Sequence, residues 1–151
     1  MIQPLPPLMA EPERREELRR QAADWPSWLL RDRQICDLEL LLNGGFSPLD
    51  GFHCRADYEG CCRDMRLADG RLWPIPVVLD VPDILAVALH PGAPLVLRDH
   101  SGLPLAVLHV DDIWQPDREM EATQVYGTDS TDHPGVAYLL DRVHPRCVGR
   151  M

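Results

Sequence analysis

The sequence predicts an α+β fold, with helices first and then a small β-barrel or sheet carrying helical decoration. Three observations carry the prediction. Apolar residues recur at helical spacing through roughly the first 65 positions. From Trp73 onward they run together and become β-branched, as in short strands. Proline supplies 15 of the 151 residues, about twice its usual share, which favours turns and short elements over long helices.

In chain order, residues 1–10 read as an extended, proline-rich arm. Pro12 suits a first helical turn, and a charged helix is expected from Glu13 to Ala23, with Leu18 and Ala22 on its buried stripe. Trp25-Pro26-Ser27-Trp28 ends it. A second helix is expected from Arg33 to Leu42, with Asp32 as N-cap. Its inward face is Ile35, Leu38 and Leu42, with Leu41 beside them, and Asn43-Gly44 is its stop. A third helix covers Arg55 to Met65, and Ala68-Asp69-Gly70 makes a turn. Trp73 to Val81 reads as a strand whose two prolines, Pro74 and Pro76, make its first half an edge. Leu95–Arg98 and Leu105–Val110 form a hairpin through Asp99-His100-Ser101-Gly102. Glu119 to Tyr126 is a short helix stopped by Gly127. Asp132-His133-Pro134 opens another that runs to Asp141.

A chain of 151 residues is one domain by default, here residues 1–151, and its 45% hydrophobic content is enough to build a core. The formal net charge is −9, which repels phosphate backbones and argues against a nucleic-acid partner. Every basic residue is arginine, so no lysine Schiff base can form and no Walker-type lysine can reach a phosphate. Five cysteines, an odd number, stand in a chain whose start lacks a secretory signal, and no apolar run approaches the length of a membrane span. The expectation is a reduced, cytoplasmic protein with no membrane partner.

The motif that invites a catalytic reading is Leu41-Leu42-Asn43-Gly44-Gly45-Phe46-Ser47-Pro48-Leu49-Asp50-Gly51-Phe52. A serine nucleophile elbow needs a glycine two positions after the serine, and Leu49 stands there. It also needs the N–H of the next residue for the oxyanion hole, and Pro48 has none. A phosphate loop precedes a helix, whereas these glycines follow one. The segment therefore reads as two successive structural corners, with at least one of Gly44 and Gly45 at positive φ. His53, Cys54, Cys61 and Cys62 lack the knuckle spacing of a zinc site, and the cysteines read as buried thiols rather than ligands. The six histidines form no metal-binding pair, and Asp111, Asp112, Asp117 and Glu119 read as a solvated face. No catalytic, substrate-binding or metal site is expected.

Arg33 to Phe52, the whole run ending in NGGFSPLDGF, resembles the N-terminal segment of the ATP sulfurylases, the sulfate adenylyltransferases. Ala56-Asp57-Tyr58, Asp64 to Gly70 and Leu72 to Val77 resemble the same family. Ile113 to Asp117 resembles its end-of-barrel strand. Tyr126-Gly127-Thr128 and His133-Pro134-Gly135-Val136 resemble the segment that leads out of its first domain. The resemblance covers nearly the whole chain and is closest to the form shared by bacterial and fungal enzymes. His53 and Cys54 stand where apolar or small residues are expected.

The resemblance implies a PUA-like N-terminal domain, a small mixed β-barrel with helices, in which the corner is structural. The family's Gln-x-Arg-Asn-Pro-x-His-x-x-His motif, which belongs to the following domain, is not in this sequence. It follows that no catalytic residue carries over and no cofactor binds this chain, although the full enzyme uses Mg-ATP. The implied partner is the catalytic domain, in the same chain or as a separate one, and the family chain is expected to continue past Val148-Gly149-Arg150-Met151. The candidate docking residues are Phe46 and Phe52, which flank the corner, together with His133 and Pro134.

Overall fold

The structure is a computed structural model and describes residues 8–141 and 144–151. Residues 1–7 of the expected arm lie outside the described residues. Helix α1 spans Pro12–Gln21, two residues short of the expected end, with Pro12 in its first turn. None of its residues is buried, and Ala22 at its C-cap, 3% exposed, provides the contact with the core.

A strand follows that the sequence hid. Strand β1, Ser27–Leu29, pairs parallel to β3 (Pro94–Arg98), setting Trp28 opposite Leu97. Its three residues are too few to show a period, and its partner lies nearly 70 positions on.

Helix α2 spans Asp32–Leu42. Its N-cap is Arg31, not Asp32, because the Gln34 side chain accepts the Arg31 backbone N–H at 3.0 Å. Leu38 and Leu41 are each 1% exposed. The chain then reverses through residues 43–48. Gly44 has φ 81°, the Gly45 N–H donates to Asn43 Oδ1 at 2.8 Å, and the Ser47–Pro48 peptide is cis.

Helix α3 spans Arg55–Asp64, and Met65 caps it in the left-handed region. Met65 is 56% exposed. Gly60 lets the chain fold back over this helix, since a Cβ there would lie 2.6 Å from the carbonyl oxygen of Arg66.

The β region forms two sheets of three strands. One has the order β1-β3-β4, with β4 spanning Pro104–His109; the other has the order β2-β6-β5, from Leu79–Val81, Arg146–Gly149 and Asp112–Trp114. In the second sheet Asp80 faces Cys147 and Ile113 faces Val148, both antiparallel. The hairpin of β3 and β4 is where the sequence placed it. The strand expected from Trp73 shrinks to Leu79–Val81. Pro74 and Pro76 have no N–H to donate to a ladder, so the segment before Leu79 stays irregular. With strands this short and these breaks, the expected barrel is not closed among the described residues. Leu79, Val81 and Val148 from one sheet, and Leu95, Leu97 and Leu108 from the other, share a core with Leu38, Leu41 and Phe52.

The remaining helices are short. They are α4 (Asp83–Ala86), α5 (Arg118–Glu121), a π-helical turn over Ala122–Tyr126 that stops at Gly127, and α6 (Pro134–Leu140). His133 caps α6, its Nδ1 accepting the Gly135 N–H at 3.1 Å. No helix among the described residues is long and apolar enough to cross a membrane.

Candidate functional site

The corner after α2 borders a polar cleft of about 270 Å³. Pro48, Asp50 and Gly51 form one wall, and Asp69 and Arg71 from the loop after α3 form another. His53, Asp57 and Arg150 close it. Arg150 holds the cleft together. Its backbone N–H donates to Phe52 O at 2.8 Å, and its guanidinium lies 2.5 Å from Asp50, 3.4 Å from Asp111 and 3.7 Å from Asp57. Its φ of 92° is unusual for a residue with a side chain. Arg71 is engaged by Asp69 at 2.5 Å. Both guanidiniums are therefore neutralised by the protein's own carboxylates, and the cleft works as a clamp between the corner, α3 and the end of β6.

His53 stands at the back of this clamp, 1% exposed. Its backbone N–H donates to Val77 O at 2.8 Å, and the Val77 N–H approaches its Nδ1 at 3.5 Å. Its Nε2 is buried and has no partner. Burial lowers its pKa to about 4, with Asp57 opposing and Arg150 reinforcing the shift. At neutral pH it is an uncharged core residue that takes an apolar position.

The other residues singled out in the sequence are dispersed. None of the five cysteines forms a disulfide: Cys36 is exposed, Cys54 half-buried, and Cys61, Cys62 and Cys147 buried. The Cys61 thiol donates to Trp73 O at 3.1 Å, while Cys62 belongs to a separate apolar cluster with Tyr58 and Trp114. Burial raises the pKa of both Cys61 and Cys62 to about 12. Among the described residues no three His, Cys, Asp or Glu side chains are arranged to hold a metal. Asp112 accepts the Arg55 N–H at 2.9 Å, and Asp117 caps α5 through the Met120 N–H at 3.0 Å. The acidic residues therefore have separate local tasks. Of the histidines, His100 meets Asp32 at 2.6 Å and His144 packs edge-on against Trp28.

Of the four candidate docking residues, Phe52 is fully buried and is a core residue rather than a surface anchor. Phe46 is half-buried, with its ring edge-on to Trp73 at 5.5 Å. His133 and Pro134 are exposed at the start of α6, where the imidazole lies 5.0 Å from the Tyr126 ring.

Two buried polar groups gave no sign in the sequence. Asp80 is 1% exposed and receives Arg31 Nη2 at 2.5 Å and Gln34 Nε2 at 3.2 Å, and Trp28 Nε1 donates to Gln34 at 3.2 Å. Tyr58 Oη lies 2.8 Å from Glu121 Oε2, and burial raises the tyrosine pKa. Each unites residues more than 40 positions apart, so no local spacing reveals it.

The family model for PUA-like domains matches residues 2–150. A sulfate adenylyltransferase of Coccidioides immitis is 45% identical over 145 residues, which cover 94% of this chain and 25% of the relative. The sulfate adenylyltransferase of Phaeosphaeria nodorum is 49% identical over 129 residues, covering 83% and 22%. The chain thus spans about a quarter of the length of the curated relatives it matches. These relatives are fungal and do not single out a bacterial form. A solved structure from Thiobacillus denitrificans, described as a hexameric APS kinase, superposes with a TM-score of 0.64 at 39% identity, covering 71% of this chain and 22% of that one.

Proposed function

The chain belongs to the PUA-like domain family, and from this premise we propose that it is the N-terminal, non-catalytic domain of a sulfate adenylyltransferase. One observation carries the reading: the similarity runs through 94% of this chain yet reaches only 25% of the relative. In such an enzyme a sulfate oxygen attacks the α-phosphorus of ATP, giving adenylyl sulfate and pyrophosphate, with Mg-ATP as the nucleotide and sulfate assimilation as the setting. That chemistry needs unpaired donors aimed at sulfate and phosphate oxygens. Here the two arginines of the polar cleft already face Asp50, Asp57, Asp69 and Asp111. On this reading the chain is one cytoplasmic domain with no catalytic, metal or cofactor site. It works by packing against a catalytic portion, with Phe46, His133 and Pro134 as candidate contacts. Nucleic acid and membrane are not its partners.

The rival reading is a stand-alone interaction or regulatory module on the same fold, and exposed Ile84 and Val87, each 80% exposed, favour it. Release of pyrophosphate from ATP, sulfate and magnesium tests the first reading. The chain alone is expected to give the rate of a purified blank, and turnover above that blank would overturn the non-catalytic assignment.

A further inference from the structure

Among the described residues, strand β4 is the open edge of its sheet, since the order is β1-β3-β4. Val107 of β4 stands opposite Val96 in the antiparallel ladder. The Val96 N–H donates to Pro26 O at 2.9 Å, on the side away from β4. Opposite residues of an antiparallel pair turn their main-chain groups alike, both towards each other or both away. The N–H and C=O of Val107 therefore point to the open side. Natural sheets blunt such an edge with charge, proline or a very short strand. Here Leu105-Ala106-Val107-Leu108 has neither charge nor proline, and β4 has six residues.

A groove of about 290 Å³ adjoins this edge. Leu105, Ala106 and Val107 line it, together with Leu18 and Ala22 from the α1 segment and Leu42 from the end of α2. Met9 and Leu105 also line it and are 57% and 38% exposed, so the groove is open to solvent. The charged side chains along it are Arg15 and Arg19, and no carboxylate lines it, on a molecule of net charge −9. Arg15 Nε donates to Ala10 O at 2.6 Å, which leaves its charge uncompensated. Arg19 pairs with Glu16 at the surface, where such a pair contributes little. The groove thus offers an unpaired main-chain edge, apolar walls and two cations.

We propose that this groove takes an extended, apolar peptide bearing a carboxylate, supplied by a partner protein, and that the peptide adds to β4 as a further strand. Each feature of the groove fixes one feature of the peptide. The Val107 N–H and C=O pair with its main chain. Apolar side chains on one face of it enter between β4 and the α1 segment. Its carboxylate meets Arg15 and Arg19, the charge the groove lacks. A polyanion would gain from the two arginines alone, and not from the apolar walls or the strand edge. The site is separate from the candidate contacts Phe46, His133 and Pro134, none of which lines the groove.

The test uses the 151-residue chain and a terminally blocked synthetic peptide, Thr-Val-Thr-Val-Thr-Val-Glu-Glu. Saturable binding is expected, with hydrogen exchange of the Val107 amide slowed about tenfold in the complex. Of two peptides N-methylated at alternate residues, the one that loses its ladder donors is expected to bind about tenfold more weakly than the other. Arg15→Glu with Arg19→Glu is expected to weaken binding about tenfold as well. Both arginines are exposed, so that variant should keep the fold, and a melt checks it. Replacing both glutamates of the peptide by lysine gives the same reading without altering the protein. No saturable binding, or equal binding by the two methylated peptides, would overturn the inference. So would a Val107 amide already protected in the free chain. Loss of that protection on dilution would make a second copy the occupant, and its loss on deletion of residues 1–7 would make that segment the occupant.

Discussion

Gly44 shows what one residue contributes to the corner. Its φ of 81° is open to glycine and strained for a β-branched side chain, so Gly44→Val is expected to cost more than about 1 kcal/mol in thermal melts. Ser47→Ala is expected to cost much less, because the serine hydroxyl is assigned no chemistry. His53 gives a pH dependence. Its folded pKa is about 4 against 6.5 in the unfolded chain, so between these values the unfolded state binds the extra proton. Stability is full above about pH 7 and falls as pH drops from 6.5 towards 4, by up to about 3 kcal/mol from this group. Comparing wild type with His53→Leu in urea at pH 7 and pH 5 isolates the effect, and the variant is expected to lose less on acidification. The corner and its stop at Asn43-Gly44 were legible in the sequence because turn chemistry is local. The burial of His53 was not, because Val77, Asp57 and Arg150 close over it from other parts of the chain.

At the scale of elements, legibility followed the range of the contacts that stabilise each one. α2, α3 and the β3–β4 hairpin have a periodicity or a turn that local residues supply. β1 and β6 have three and four residues and gain their partners across the fold, so neither announces itself. Helix α2 is tied to β2 by the pair of Arg31 and Asp80, with side chains 35% and 2% exposed. Removing the arginine leaves a buried carboxylate without its counter-charge, and Arg31→Ala is expected to cost about 3 kcal/mol. Chemical denaturation of that variant checks it, and a change within about 0.5 kcal/mol would show that Gln34 alone suffices.

For the whole molecule, residue chemistry alone reached an α+β domain without a catalytic set, and the resemblance in Arg33–Phe52 reached the family that the comparisons support. Among the described residues the strands form two three-stranded sheets and no closed barrel is found, since prolines and short strands interrupt the ladders a closed barrel needs. In the polar cleft the guanidiniums of Arg71 and Arg150 face aspartates. Its charges are spent on joining the corner to β6.

Adenylyl transfer by a chimera, the Coccidioides immitis enzyme with its matched quarter replaced by this chain, tests the central claim most directly. If this chain is the N-terminal domain of such an enzyme, the chimera forms adenylyl sulfate from ATP and sulfate within about tenfold of the parent rate, a difference of about 1.4 kcal/mol in barrier. A soluble, folded chimera that forms none, beside an active parent, would contradict it.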